Sequence, residues 1–153
     1  MSKRMYSVLG GTLFFIFILA IDFFSKKWAL QTTTREIVLH QYVSLELLMN
    51  RGISWGIFHH ATHPVFVALS VAISLMVVLL AGYTFFRFVK GFQIYPELLV
   101  IAGAVGNLLD RAQYGGVVDF IVFHVGAYAL PVFNIADAAI VVGIICIAAS
   151  LHE

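Results

Sequence analysis

The chain is predicted to be an all-α integral membrane protein. It has four transmembrane helices, a small β-rich extracytoplasmic cap between helices 1 and 2, and an interfacial segment between helices 3 and 4. Three observations carry this expectation. The 153 residues are 61% hydrophobic and only 11% charged, whereas soluble domains carry about 25% charged residues. Four segments reach the length of about 20 mostly apolar residues that a spanning helix needs. The few charged and amide side chains gather at helix ends and in the connections rather than at helix centres. The reading is of one unit, residues 1–153, because no composition shift, repeat or low-complexity stretch divides the chain.

The first helix is predicted at about 5–24. Its basic start and apolar run resemble a secretory signal, but the run is long and "IDFFSKK" is a poor cleavage site. It is therefore read as an uncleaved span. The link that follows contains "EIVLHQYVSLELL", whose β-branched and alternating residues predict short strands, and the cap is set at about 35–58. The second helix, about 64–86, is uncharged until Arg87. The third, about 92–109, is weakened by Glu97 near its start. Pro64 and Pro96 fall near helix starts, where a missing N–H costs little. "RAQYGGVVDFIVFHVGAYALPV" is aromatic and apolar, hence the interfacial assignment. The fourth helix is predicted at about 133–151.

Charge narrows the function classes. A net charge of +1 gives no electrostatic case for nucleic acid. The single cysteine, Cys146, excludes an intramolecular disulfide and a cysteine-cluster metal site, and reads as packing. His59, His60 and His63 invite a metal reading, but no fourth ligand stands at a sensible spacing. No metal and no cofactor are expected, and His124 reads as interfacial. With four helices both termini share one side. Lys3, Arg4, Arg87 and Lys90 lie on that side, against Lys26, Lys27, Arg35, Arg51 and Arg111 on the other. The raw count does not decide orientation. The near-terminal pair and the short loop favour termini in the cytoplasm.

Helix alternation places all four aspartates, Asp22, Asp110, Asp119 and Asp137, at one face, together with Asn50, Asn107, Arg111 and Asn134. A carboxylate at the bilayer centre costs about 2.5–3.5 kcal/mol. Asp137 lies three residues past Asn134, about 4–5 Å further in, so it sits at the hydrocarbon rim. Asp119 and Asp137 can then meet across a small polar pocket. Close carboxylates tend to share one proton, and such a pair can hold a water between a base and an acid. Each residue also has a plainer reading. Asn134 can cap the fourth helix with Asp137 favouring its dipole. Asp119 can be a solvated turn carboxylate. Asp22 and Lys26 are spaced for a helical ion pair. Asn107, Asp110 and Arg111 can form a helix-end network, and Ala102, Gly103, Ala104 and Gly106 can serve close helix packing. From the residues alone, a proton-coupled transporter and a noncatalytic membrane subunit stay open beside a hydrolase.

Five blocks in order sharpen the choice: "DFFSKK" at 22–27, "NRGISWGIF" at 50–58, "GAVGNLLDR" at 103–111, "VVDF" at 117–120 and "FNIADAAI" at 133–140. On these the chain resembles bacterial lipoprotein signal peptidase (signal peptidase II), over nearly its whole length. The resemblance implies an intramembrane aspartyl endopeptidase, metal-independent, of the bacterial cytoplasmic (inner) membrane, with termini in the cytoplasm and the active site near the outer face. It implies cleavage of diacylglyceryl-modified prolipoproteins just before the lipidated cysteine. It places the catalytic pair on Asp119 and Asp137. Supporting or substrate-binding roles fall on Asp22, Lys26, Asn50, Gly52, Gly106, Asn107, Asp110, Arg111, Asn134 and Ala136. The implied partners are the lipidated prolipoprotein, membrane lipid and globomycin-type inhibitors. Ser54 and Trp55 depart slightly from the family pattern.

Overall fold

The structure, a computed structural model, describes residues 3–52 and 62–150. Four helices and four strands follow in the order α1 (Lys3–Thr32), β1 (Ile37–His40), β2 (Val43–Asn50), α2 (His63–Val89), α3 (Tyr95–Tyr114), β3 (Val117–Val125), β4 (Tyr128–Ala129) and α4 (Ile135–Ser150). His59, His60, Ser54, Trp55 and the last part of the expected cap lie outside the described residues.

The helices turn their apolar side chains outward. α2 buries Thr84 alone among its residues, and Leu75, Met76, Val78, Leu79 and Phe85 are all more than half exposed. Apolar surface on this scale is untenable in water. α1 and α2 are each long and apolar enough to cross a membrane. This is a membrane protein, and those side chains face lipid.

Several boundaries depart from the sequence expectation, α2 by ending at Val89 rather than 86. α1 runs eight residues past Phe24, to Thr32. Hydropathy stops at Lys26 and Lys27, but Lys26 is ion-paired inside the fold and Ala29 is fully buried, so the helix continues. α3 begins at Tyr95, because Gly91 (φ 88°) turns the chain after α2 and Pro96 occupies the first helical turn. Its end moves from 109 to Tyr114, with Gly115 in the left-handed conformation as the C-cap. Asp110 and Arg111 are therefore inside the last turn rather than beyond it.

Strands appear in the first connection as expected, as β1 and β2, and the sheet extends beyond it into the second. A four-stranded antiparallel sheet, ordered β1-β2-β3-β4, joins both long connections. The segment expected to lie in the interface is β3, paired with β2 from Val43↔Phe123 to Asn50↔Val117, with a bulge between Leu45 and Leu48. Phe133, just before α4, bridges to Ile121 of β3. Ala29, Leu45 and Phe120 form a small core, with Leu47, Ile121 and Ile135 packed against it. This core fixes the sheet onto the ends of α1 and α4.

α3 is central. It packs against α1, α2 and α4, most closely against α4 through small residues. A Cβ added at Gly143 would stand 2.7 Å from the Pro96 carbonyl oxygen. One added at Gly103 would stand 2.8 Å from Ile140 Cγ1 and inside contact with the Ala136 carbonyl. Near the start of α3, Glu97 is fully buried and paired with Arg87 of α2.

Candidate active site

The sequence places Asp119 in "VVDF" between two β-branched residues and an aromatic, and the local result is a strand, not a turn. Val117, Val118, Asp119 and Phe120 are all buried. Asp119 faces Leu48 of β2 across the sheet, two pairs from the strand end that carries Asn50. The solvated-turn reading of Asp119 is thereby excluded.

Asp137 stands in the first turn of α4. Asn134 precedes that helix, and its Oδ1 accepts the Asp137 backbone N–H at 2.8 Å. This is the N-cap expected from the spacing of three. The same side chain turns its amide nitrogen to Asp119, donating to Oδ1 at 2.7 Å. The other carboxylate oxygen, Oδ2, accepts from Asn50 Nδ2 at 2.9 Å. Asn50 is itself oriented, because its Oδ1 accepts the Gly52 backbone N–H at 2.8 Å.

Asn107 of α3 completes the link. Its Oδ1 accepts from Asn134 Nδ2 at 3.1 Å and from Lys26 Nζ at 3.0 Å. Its Nδ2 donates to Asp137 Oδ1 at 2.8 Å. The two carboxylates are thus joined by a run of two amides, Asp119–Asn134–Asn107–Asp137. All four groups are buried.

Behind this run lies an ionic layer. Lys26 Nζ lies 2.7 Å from Asp22 Oδ2 and 2.8 Å from Asp110 Oδ2. Asp22 Oδ1 accepts the Ala136 N–H at 2.9 Å, tying α1 to the start of α4. Asp110 Oδ2 accepts the Val118 N–H at 3.1 Å, tying α3 to β3. Gly106 leaves room for Asp22, since a Cβ there would stand 2.6 Å from Oδ2. Arg111 donates to the Gly52 carbonyl at 2.8 Å and to the Asn107 carbonyl at 3.3 Å. Lys26 and Val118 hold Asp110, while Arg111 holds Gly52.

The predicted site residues therefore gather in one cluster from α1, α3, β3, the end of β2 and the start of α4, joined by hydrogen bonds except for Gly106, which packs against Asp22. Sequence reasoning did not find the Val118 backbone, whose N–H serves Asp110 and whose carbonyl accepts from Asn134. Nor did it find Gly143, whose one signal is a small residue within the apolar α4.

Burial raises the Asp119 carboxyl to a pKa of about 7. The neighbouring Asp137 charge adds to the rise, and the Asn50 and Asn134 hydrogen bonds oppose it. A proton held near neutrality beside a second carboxylate is the condition for acid–base work by a carboxyl pair. Next to Asp137, a largely apolar cavity of 440 Å³ is lined by Phe123, Leu130, Phe133, Ile140 and Val142. It has the size and character of a site for an apolar ligand segment.

Helical bundle, small sheet and buried aspartate cluster together define a membrane enzyme scaffold. The family model for signal peptidase (SPase) II matches residues 14–152. The chain belongs to the signal peptidase II family. It is 36% identical to a lipoprotein signal peptidase of Clostridium novyi, with 89% of this chain and 93% of that one covered. It is 35% identical to one of Desulforapulum autotrophicum, covering 84% and 82%. Two solved structures of bacterial membrane enzymes superpose with TM-scores of 0.73 at 26% and 25% identity, each covering 93% of this chain and 87% and 92% of theirs. The family is one of proteases, and the transporter and packing-subunit alternatives are set aside.

Proposed function

We propose that this protein is an intramembrane aspartyl endopeptidase that removes the signal peptide from diacylglyceryl-modified prolipoproteins. Asp119 and Asp137 are its catalytic pair, and it needs no metal. The observation that carries this reading is the amide-linked run between two buried carboxylates, one of which holds its proton to about pH 7.

The chemistry follows from that arrangement. Burial lets Asp119 hold a proton near neutrality, so it is taken as the acid of the pair and Asp137 as the base. A water between them gives a proton to Asp137 as its oxygen attacks the scissile carbonyl carbon. Asp119 gives its proton to the carbonyl oxygen, so a neutral tetrahedral diol forms. Asp137 then protonates the leaving nitrogen, the C–N bond breaks, and a diol proton returns to Asp119. Asn50 and Asn134 hold Asp119, and Asn107 holds Asp137, so neither carboxylate has to reorganise during the reaction.

The apolar cavity beside Asp137 accommodates part of the lipidated substrate, which enters sideways from the bilayer. The whole chain works as one domain crossing the bacterial inner membrane four times, termini in the cytoplasm and pair near the outer face. Asp137 stands in the first turn of α4, which supports a pair at one end of that span rather than at its centre. Membrane lipid and globomycin-type inhibitors are the protein's further partners.

Asp119→Asn and Asp137→Asn, purified separately and assayed on a lipidated substrate in detergent, are each expected to lose cleavage. Full activity in either variant removes the pair. A chelator is expected to leave the wild-type rate unchanged. Inhibition reversed by zinc would replace the metal-free reading.

A further inference from the structure

Lys26 is 2% exposed and is one helical turn from Asp22 on α1. Its ammonium makes three short contacts: Asp22 Oδ2 at 2.7 Å, Asp110 Oδ2 at 2.8 Å and Asn107 Oδ1 at 3.0 Å. An ammonium has three donors and no acceptor, so all three are used. Two of these contacts are ionic and structural. The third is to an uncharged amide that also touches a carboxylate of the pair, and charge balance does not explain it.

An asparagine side chain can present either its oxygen or its nitrogen to a neighbour, and only the surrounding partners decide which. For Asn107 the decision has a direct consequence. With nitrogen toward Asp137, Asn107 donates to that carboxylate and favours its ionised form. With oxygen toward Asp137, only a protonated carboxyl can satisfy it. The other amides of the site are locked by backbone N–H groups, Asn50 by Gly52 and Asn134 by Asp137. No hydrogen bond from a backbone N–H to the Asn107 side chain is seen among the described residues. Its Oδ1 instead faces Lys26 and Asn134 Nδ2. A donor-only cation at 3.0 Å forbids the flipped form.

We propose that Lys26 is a positioning residue for the reaction: it fixes the Asn107 amide so that Nδ2 is aimed at Asp137. The inference rests on the aspartyl reading above. Lys26 touches neither carboxylate of the pair and acts through one intervening side chain. The relay also joins Asp119 to Asp137, since Asn134 donates to both Asn107 Oδ1 and Asp119 Oδ1. Losing the lock frees the Asp137 end, while Asn50 and Asn134 still hold Asp119.

The test is a double-variant cycle on the full chain, with kcat and KM on a lipidated peptide and thermal melting for each protein. Lys26→Met and Asn107→Ala are each expected to lower kcat by about 10- to 100-fold, with KM changed by less than about threefold. Adding Lys26→Met to Asn107→Ala is expected to lower kcat no further. Lys26→Arg keeps a donor-only cation between Asp22 and Asp110, and is expected to restore kcat to within about tenfold of wild type. It serves as the deciding variant if Lys26→Met does not fold. Multiplying losses in the double variant overturn the proposal, as does a KM effect with kcat intact or a folded but inactive Lys26→Arg. Asp119→Asn and Asp137→Asn run in parallel. Activity in those ends the aspartyl reading itself, whereas their inactivity with independent Lys26 and Asn107 effects ends the positioning role alone.

Discussion

Gly103→Ala is a one-carbon perturbation that should reach the proposed catalytic pair without touching it. The added Cβ would meet Ile140 Cγ1 at 2.8 Å and the Ala136 carbonyl more closely still, where ordinary contact begins at 3.4 Å. Ile140 can rotate, but the carbonyl is backbone. The start of α4 must therefore move away from α3 by about 1 Å. Ala136 immediately precedes Asp137, and Asn134 caps the same turn, so the shift is delivered to the amide run. Overpacking of this kind costs about 1–3 kcal/mol of stability. A displacement of about 1 Å at a reacting group costs about 100-fold in rate. The assay is kcat on a lipidated substrate, with thermal melting alongside. Gly82→Ala is the control, because nothing lies within 4 Å of its added Cβ. It should leave kcat unchanged and gain slightly from the helix preference for alanine. Wild-type kcat in Gly103→Ala would refute the claim that α3–α4 contact sets the site geometry.

Three further outcomes follow from the same geometry. Asp119 keeps its proton to about pH 7 in the native state, against the ordinary 3.8. Native protein therefore binds more protons than unfolded chain between those values, and stability falls as pH rises through that window. Wild-type melting temperature should drop between about pH 4 and about pH 7, with a smaller slope in Asp119→Asn, and cleavage should decline above about pH 7. Equal slopes in both proteins would reject the assignment. Arg111→Lys loses the fork that reaches Gly52 and Asn107. It should cost about 1–3 kcal/mol in melting experiments and lower kcat, since a lysine cannot span both carbonyls. Glu97→Gln breaks a buried pair with Arg87, which is 22% exposed. The loss should be about 1–3 kcal/mol, below that of a fully buried pair, with kcat within about twofold of wild type.

What the chain reveals before folding divides along a physical line. Asn134 and Asp137 lie on one helix start, and their spacing alone carries the cap. Asp22 and Lys26 pair along one helix, so their contact is equally local. β3 was hidden because "VVDFIVFHV" is buried over its first half. A strand covered on both faces shows an unbroken apolar run, not alternation. The end of α1 was hidden because hydropathy treats Lys26 as an exit from the membrane, whereas two carboxylates and an amide keep it inside. The contacts that assemble the site join residues far apart in the chain, such as Lys26 to Asn107 and Asn50 to Asp119. A single sequence shows that such residues share a membrane face. It does not show which amide turns to which carboxylate.

The bond from the Ala136 N–H to Asp22 joins positions 114 residues apart, and β2 meets β3 across the two middle helices. During synthesis, Asp22, Lys26 and Asn50 wait in place until α3, β3 and finally α4 arrive. The last helix brings both Asn134 and Asp137. On the proposed reading of the pair, a nascent chain that lacks the start of α4 lacks both Asn134 and Asp137, so it holds no complete site.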